Sequence, residues 1–383
     1  MRKGLIAAAI TVFAFAVVGT GAVANTGGTA SPAQVAACTN VSLGFVGPLT
    51  GPAAFLGQEQ ISWLRFGAQR YNRANGTRFK VANGDTQLKA PVARTVARRF
   101  VADRKIMAII GPSESQAVRV GGNLYERANL AAVSGSATAV DLTKGRPYRS
   151  FFRVVPNDAI QAPQVVTFVA GNLKANNVVV IDSQDDYSVP LATAILSGLR
   201  KRNVTTARES VSADDTDFSS IVANVGNDVD VVVFATQVAS AANTLSNQLR
   251  EQGKKAVVFG TDGAYSPSQF KPRSGYVSVF APDLHFDPKA RALVREYNRY
   301  SRNKAFGSFG PATYMAGLVA MNAIRQSCAD GTAARAEVTR FVRRTNLPSI
   351  FGGRLRFSAK GDPLPTKFII YKITNGTYSP VGD

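Results

Sequence analysis

The chain has 383 residues, of which 45% are hydrophobic and 18% charged, the composition of a folded globular protein. Its formal net charge is +20, from 45 Lys and Arg against 25 Asp and Glu, and such a balance can indicate a nucleic-acid partner. The basic residues are, however, scattered over several predicted helices, as Arg98, Arg250 and Arg335 illustrate, without zinc-finger spacing or an RNP-like motif. We therefore predict a solvated basic surface and no nucleic-acid partner.

The N-terminus has the pattern of an export signal. Arg2 and Lys3 precede a long apolar run, which ends in the small-x-small sequence Ala22-Val23-Ala24 of a signal-peptidase site. We predict that residues 1–24 are a cleaved signal peptide, that 25–40 is a linker, and that the mature protein is exported to the periplasm or cell envelope. Because the apolar run is nearly long enough to span a bilayer, an uncleaved membrane anchor is the alternative.

From residue 41 onward, short β-branched runs alternate with longer helical stretches. This βαβα order predicts a parallel sheet with helices on both faces, which we call a lobe. The predicted strands of the first lobe are 41–46, 79–82, 106–110 and 131–133, and the predicted helices are 53–72, 91–103 and 116–127.

The same order starts again after about residue 150. Apolar runs such as VVVI and VVVF do not alternate with polar residues, so both faces of this second sheet should be covered. A helical region and two late strands follow, which implies that the chain crosses between the lobes more than once. The predicted strands are 151–155, 177–181, 229–234, 256–259, 354–357 and 367–373, and the predicted helices are 161–173, 190–202, 217–225, 239–252, 288–300, 313–327 and 333–344.

Cys38 and Cys328 are the two cysteines, and they leave two possibilities open. In an exported chain, two cysteines suggest one disulfide. Cys38 stands before the first strand and Cys328 at the end of a long helix antiparallel to the strands, so both would lie at the bottom of one lobe. Alternatively, Val35-Ala36-Ala37-Cys38 loosely fits a lipobox, and lipidation of Cys38 would anchor the protein.

The residues that enzymes and metal sites need are scarce. His285 is the one histidine, and it lacks the Cys or acidic neighbours of a metal site. A P-loop, a G-x-G-x-x-G after a strand and a G-x-S-x-G elbow are all missing from the sequence. We therefore predict a protein that is not an enzyme, has no metal and needs no cofactor.

Small polar residues follow several predicted strands, at the edge where open α/β sheets bind ligands. Ser113 to Ser115 opens a helix, whose N-terminus suits a carboxylate, although taken alone this motif favours Ser113 or Ser115 as a simple N-cap. Ser134 to Thr138 follows the next strand. In the second lobe, Tyr187 of 182–187 could cover a ligand, and the carboxylate in 260–263 could pair with an ammonium. Together these strand ends predict a site for a zwitterion.

At these residues the chain resembles the type I periplasmic solute-binding proteins, specifically the leucine/isoleucine/valine-binding family of ABC importers. The resemblance runs from about residue 41 to the C-terminus and implies two doubly wound lobes joined by a three-crossover hinge. It rests on these blocks in this order: GFVGPLTGPAAFLGQ (44–58), AIIGPSES (108–115), AAVSGSATAVDLT (131–143), FFRVVPND (151–158), DDTDFSSIV (214–222), GTDG (260–263) and FGPATYMAG (309–317).

The resemblance also implies which residues hold the ligand. In that family the ligand carboxylate is held by a serine at the position of Ser115, by the backbone at Ser136 and by the threonine at Thr138. The ammonium is held by an acid at the position of Asp262, and a tyrosine at the position of Tyr187 closes over the ligand from the second lobe.

Other positions depart from the family pattern. Leu56 stands where the family has a tyrosine, and Gln237 stands where it has an aromatic residue, while Phe309 is expected to line the pocket. The anchor for an amino acid's backbone is thus retained, whereas the pocket for its side chain is altered, which puts leucine-type specificity in doubt.

The function that follows is the substrate-binding component of an amino-acid importer, a monomer that docks to membrane permease subunits. A sensory ligand-binding domain is the alternative, because the same fold serves both roles. The predicted N-terminal lobe comprises 41–156 and 285–362, and the predicted C-terminal lobe comprises 157–284 and 363–383.

Overall fold

The computed structural model describes residues 35–364 and 367–381. The predicted signal peptide at 1–24 and residues 25–34 of the predicted linker lie outside this range. Among the described residues, no helix is both long and apolar enough to cross a bilayer.

Strands and helices alternate along most of the chain. The strands are β1 (Val35–Ala37), β2 (Ser42–Gly47), β3 (Lys80–Asp85), β4 (Ile106–Ile110), β5 (Ala132–Ser134), β6 (Phe151–Arg153), β7 (Asn177–Asp182), β8 (Thr205–Ser210), β9 (Val231–Ala235), β10 (Val257–Gly260), β11 (Ser274–Val279), β12 (Thr332–Ala334), β13 (Asn346–Pro348), β14 (Arg354–Phe357), β15 (Pro363–Leu364), β16 (Ile369–Thr374) and β17 (Thr377–Pro380). The helices are α1 (Ala54–Asn75), α2 (Ala90–Ala102), α3 (Ser115–Arg127), α4 (Asp158–Thr167), α5 (Ser188–Arg200), α6 (Ser219–Asn224), α7 (Ala239–Glu251), α8 (Arg291–Ser301), α9 (Phe309–Ser327) and α10 (Arg335–Arg343).

The first lobe is built on a five-stranded parallel sheet in the order β3-β2-β4-β5-β6. Its central strand β4 reads IMAII, and every residue in it is buried, because helices cover both faces. Helices α1 and α9 pack against each other, as do α2 and α3. The carboxyl ends of β4 and β5 therefore open at the same edge of the sheet, where the loops of the candidate site begin.

The second lobe is built on a seven-stranded sheet in the order β17-β16-β11-β10-β9-β7-β8. Strands β7 to β11 pair in parallel, whereas β16 pairs antiparallel to β11, and β17 antiparallel to β16. Strands β8, β11 and β17 were not predicted from the sequence. The residues of β8 (TTARES) are mostly exposed, since β8 is an edge strand, so it lacks the apolar run that identifies a buried strand.

The chain passes between the two sheets at three places: between β6 and α4, after β11, and before β16. This is the two-lobed α/β fold that the sequence and its resemblance predict. Arg153, at the end of β6, is fully buried, and its Nε lies 2.7 Å from Asp362 Oδ1 near the third crossing. His285 follows the second crossing, with Nδ1 2.7 Å from Asp283 Oδ1 and its ring stacked on Phe306.

A disulfide joins Cys38 to Cys328 at the base of the first lobe. Strand β1 pairs with β12 beside it, so the beginning of the described chain is tied to the end of α9. With its sulfur in this bridge, Cys38 has no thiol for the lipid that the lipobox-like sequence suggested.

Arg335 is an exception to the predicted solvated basic surface. Its side chain is buried, and its guanidinium donates hydrogen bonds to backbone carbonyl oxygens, including those of Val101, Asp103 and Ile106. These carbonyls lie at the end of α2 and in the turn that leads into β4. A buried cation thus satisfies acceptors that a helix end leaves free.

Candidate functional site

Ser115 is the first residue of α3, at the carboxyl end of β4. It is buried, and its Oγ accepts a hydrogen bond from the Ala139 backbone N–H at 3.2 Å. No side chain caps the N-terminus of α3, so the first N–H groups of this helix can serve an anion. The Ser115 hydroxyl retains its own proton for donation, which suits a carboxylate.

The loop after β5 lies beside this helix end. Gln60 Nε2 donates to Ser136 Oγ at 2.9 Å, and Ser136 Oγ donates to the Ser113 carbonyl at 2.7 Å. The Ser136 hydroxyl is therefore engaged within the protein, which leaves its backbone for a ligand. Thr138 is fully buried, and its Oγ1 forms no hydrogen bond within the described part of the chain.

The second lobe contributes Tyr187 and Asp262, which are both buried. The Tyr187 hydroxyl lies 2.6 Å from Asp262 Oδ1 and 2.7 Å from Thr261 Oγ1, and it accepts from the Gly263 N–H at 3.3 Å. Burial raises the pKa of Asp262 to about 6, although hydrogen bonds from Tyr187 and Gln161 lower it. Burial also raises the pKa of Tyr187, so its hydroxyl remains a proton donor.

Asp158 is a site residue that the sequence analysis did not single out. It is the first residue of α4 and is buried, and neither of its carboxylate oxygens has a hydrogen-bond partner within the described ranges. Burial raises its pKa well above the usual value, and the nearby Asp262 carboxylate raises it further, whereas the Thr138 hydroxyl and the charge of Arg153 lower it. An aspartate in the first turn of a helix is ordinarily explained by the helix dipole, so the sequence carries no signal of this role.

Gln161, one turn along α4, completes the acidic part of the site. Its Nε2 donates to Ser278 Oγ at 2.8 Å, whereas its Oε1 is buried without a partner among the residues described. The unpartnered Gln161 carbonyl oxygen and Asp158 carboxylate thus lie near the Asp262 carboxylate at the boundary between the lobes. Such a cluster is costly to bury unless a cation or a hydrogen-bond donor enters it.

The remaining predicted residues fall into two groups. Gln237 bridges the lobes, with Nε2 at 3.3 Å from both Gln116 Oε1 and Asp185 Oδ2. Leu56 and Phe309 are buried in the largest apolar cluster, and Phe309 packs edge-on against other phenylalanine rings. The part that Leu56 and Phe309 take in binding a ligand stays a prediction.

The six polar residues of this cleft are each at most 6% exposed, so the lobes are closed over them: Ser115, Ser136, Thr138, Asp158, Tyr187 and Asp262. The first lobe offers hydroxyls and a helix N-terminus, and the boundary with the second lobe offers carboxylates. This arrangement can hold a molecule with an anionic end and a cationic end.

The chain is similar to known proteins over most of its length. The family model described as "Periplasmic binding protein" matches residues 40–377. An amino acid binding protein of Pseudomonas aeruginosa is 25% identical over 351 residues, which cover 88% of this chain and 91% of that protein.

Two solved structures are similar in fold. One is the branched-chain amino acid transporter substrate-binding protein LivJ from Streptococcus pneumoniae in complex with isoleucine, with a TM-score of 0.77, 22% identity, and coverage of 89% of this chain and 99% of that one. The other is a fatty acid ABC transporter substrate-binding protein from Thermomonospora curvata, with a TM-score of 0.80, 17% identity, and coverage of 91% and 94%.

Proposed function

The chain belongs to the periplasmic binding protein family, and from that membership we propose that it is the extracytoplasmic substrate-binding component of an ABC importer. It captures an amino acid between its lobes and delivers it to permease subunits in the membrane, acting as a monomer and breaking no bond. The three similar proteins described above are named as an amino acid binding protein and as substrate-binding proteins of transporters, which supports transport over the sensory alternative.

One observation carries the amino-acid assignment. Asp262, held by Tyr187, lies in a closed cleft together with the uncapped N-terminus of α3, where Ser115 provides a hydroxyl. The helix end attracts the carboxylate of an amino acid, and the buried acids attract its ammonium. Closure follows when the ligand makes contacts that exist only in the closed form.

The pocket for the variable part of the ligand supports a cargo broader than leucine. Gln237 places an amide where the resemblance leads us to expect an aromatic ring, and Gln116 places a second amide opposite it. Both groups can hydrogen-bond a polar side chain. We therefore extend the candidate ligands from branched-chain amino acids to amino acids with small polar or amide side chains and to related small carboxylates.

A thermal-shift screen of residues 25–383 against the amino acids, small amides and small carboxylic acids tests the proposal. A ligand at 100 times its Kd stabilises the protein by about 2.7 kcal/mol, which gives a clear rise in Tm. Asp262→Asn is the variant that should lose the shift with zwitterions, and Asp214→Asn, at an exposed position of the same lobe, is the matched control. If no amino acid, small amide or small carboxylic acid raises the Tm of the wild-type protein, amino-acid import is refuted.

A further inference from the structure

Two hydrogen-bonding side chains on α3 reach from the first lobe to the second, just beyond Ser115. Arg119 Nη1 donates to the Asp186 backbone carbonyl at 2.7 Å and lies 3.3 Å from its Oδ2. Gln116 Oε1 accepts from Gln237 Nε2 at 3.3 Å. One turn of helix thus carries a residue that faces the ligand site and two residues that hold the opposite lobe.

The Arg119 side chain is oriented by a residue of its own lobe, independently of any contact with the second lobe. Its Nε and Nη2 donate to the two carboxylate oxygens of Asp141 at 2.8 and 2.7 Å, which is the planar two-point pairing that arginine favours. The remaining Nη1 is thereby aimed at the second lobe. A side chain that is already ordered loses less conformational entropy when it makes the contact across the cleft.

The segment that Arg119 contacts is the one that positions Tyr187. Asp185 Oδ1 accepts from the backbone N–H groups of Tyr187 and Ser188, at 2.9 and 2.7 Å, so residues 185–188 form a rigid turn. The Tyr187 hydroxyl then reaches Asp262. Contact between Arg119 and Asp186 therefore fixes this turn. Tyr187, the residue after Asp186, closes over the ligand.

From this geometry we infer that Arg119 is a positioning residue that retains the ligand without touching it. The contact with Asp186 forms only when the lobes are closed, so it adds stability to the closed state alone and slows release of the ligand. This inference rests on the proposed function. The arginine side chain is 25% exposed and that of Asp186 is 53% exposed, so salt should weaken the contact between the two charges. The hydrogen bond to the carbonyl should persist at high salt.

The closed population can be measured whether or not a ligand is known. Nitroxide labels on cysteines at the exposed positions Arg94 and Lys201, one on each lobe, report the distance between the lobes by double electron–electron resonance. The native cysteines form a disulfide and take no label. Arg119→Gln is the test variant, and Arg98→Gln, which removes the same charge from an exposed position on α2, is the control.

We expect Arg119→Gln to lower the closed population, without ligand and with saturating L-leucine as the probe. It should also release bound L-leucine about tenfold faster, the usual effect of losing a hydrogen bond to a charged group, while the association rate is unchanged. Arg98→Gln should match the wild-type protein in both measurements. Asp141→Asn keeps Arg119 but removes the charge that orients its guanidinium. Its closed population and its release rate should lie between those of Arg119→Gln and Arg98→Gln.

Equal closed populations and equal release rates in Arg119→Gln and Arg98→Gln would overturn the inference. If no amino acid binds the wild-type protein, the proposed function fails, whereas the label distances of the ligand-free chains still decide the role of Arg119. Should Arg119→Gln not fold, Arg119→Lys replaces it, because lysine keeps the charge but cannot pair with Asp141 at two points.

Discussion

The hydroxyl of Tyr187 lies 2.6 Å from Oδ1 of Asp262, and both side chains are buried between the lobes. Tyrosine gives this carboxylate one hydrogen bond but no compensating charge. The second carboxylate of the cleft, that of Asp158, forms no hydrogen bond of good geometry within the described residues, and only the Thr138 hydroxyl and the charge of Arg153 offset its burial. The cleft therefore holds two buried acids whose pKa values are raised, and burying them is costly unless a cationic group enters beside them.

Asp262→Asn should weaken binding of an amino acid by about 3–5 kcal/mol, because the buried ammonium of the ligand loses its charged partner. In the wild-type protein the affinity should also depend on pH. The pKa of Asp262 is about 6, so below pH 6 the carboxyl is protonated and the affinity should fall about tenfold per pH unit. Above pH 7 the affinity should be constant. Calorimetric titration from pH 5 to pH 8 measures both effects.

The control for this experiment is Asp214→Asn, which alters an exposed carboxylate on the same lobe. It should reproduce the wild-type affinity at every pH. If Asp262→Asn binds as tightly as the control, or if the wild-type affinity is flat from pH 5 to pH 8, the ammonium is held elsewhere.

Asp158→Asn should have opposite effects on stability and on binding. Burial and Asp262 raise the pKa of Asp158 in the folded protein, so between the ordinary pKa and the raised one the folded state binds more protons than the unfolded state. The free energy of unfolding therefore falls as the pH rises through that window. Because asparagine cannot ionise, Asp158→Asn should raise the free energy of unfolding at pH 7 by about 1–3 kcal/mol, the order of the energy that separates the ionised from the neutral form of a buried carboxyl. The affinity for an amino acid should fall.

Urea unfolding and calorimetry on the same preparation separate the two effects of Asp158→Asn. At pH 4.5 the gain in stability should shrink, since the wild-type carboxyl is then largely protonated. A variant that is both less stable and unchanged in affinity would show that Asp158 is a purely structural residue.

The disulfide between Cys38 and Cys328 closes a loop with a sequence separation of 290 residues. Its loss should lower the free energy of unfolding by about 2–4 kcal/mol, because the unfolded chain regains conformational freedom. The double variant Cys38→Ser, Cys328→Ser should unfold at lower urea than the oxidised wild-type protein and should match the wild-type protein treated with a reductant. If the reductant leaves the wild-type curve unchanged, the bridge does not form, and a lipid on Cys38 becomes testable by mass spectrometry.

Gly310→Ala should destabilise the first lobe, because a Cβ at Gly310 would lie 2.0 Å from Trp63 Cδ1. Trp63 is fully buried and stacked on Tyr297, with ring centroids 3.9 Å apart, so it has no room to move. Overpacking of this kind costs about 1–3 kcal/mol. Gly171→Ala is the control, since a Cβ there meets no atom within 4 Å.

Tryptophan fluorescence monitors the packing around Gly310 directly, since Trp63 is the single tryptophan of the chain. The variant should show a changed emission spectrum and a lower urea midpoint, whereas Gly171→Ala should show neither. An unchanged midpoint would mean that α1 and α9 can separate at this contact without cost.

Much of the architecture could be predicted from local pattern. The apolar residues of β4 and β9 identify buried parallel strands wherever they stand in a chain, because both faces must be covered. Loops at the carboxyl ends of such strands follow from the geometry of open sheets, so Ser115 after β4, Thr138 after β5 and Asp262 after β10 could be expected at the cleft. The edge strand β8 could not be predicted, since its exposed side chains carry no apolar pattern.

The sequence by itself determined the alternation of strands and helices and which strand ends carry polar groups. Tertiary structure decided what those groups face. Asp158 has the appearance of a helix-starting residue until folding buries it beside Asp262, and Arg119 is one of many arginines until closure brings Asp186 within 2.7 Å of it. Hydrophobic periodicity is set by near neighbours in the chain, whereas burial of charge and contact between lobes depend on residues far apart in sequence, and only the closed fold brings these together.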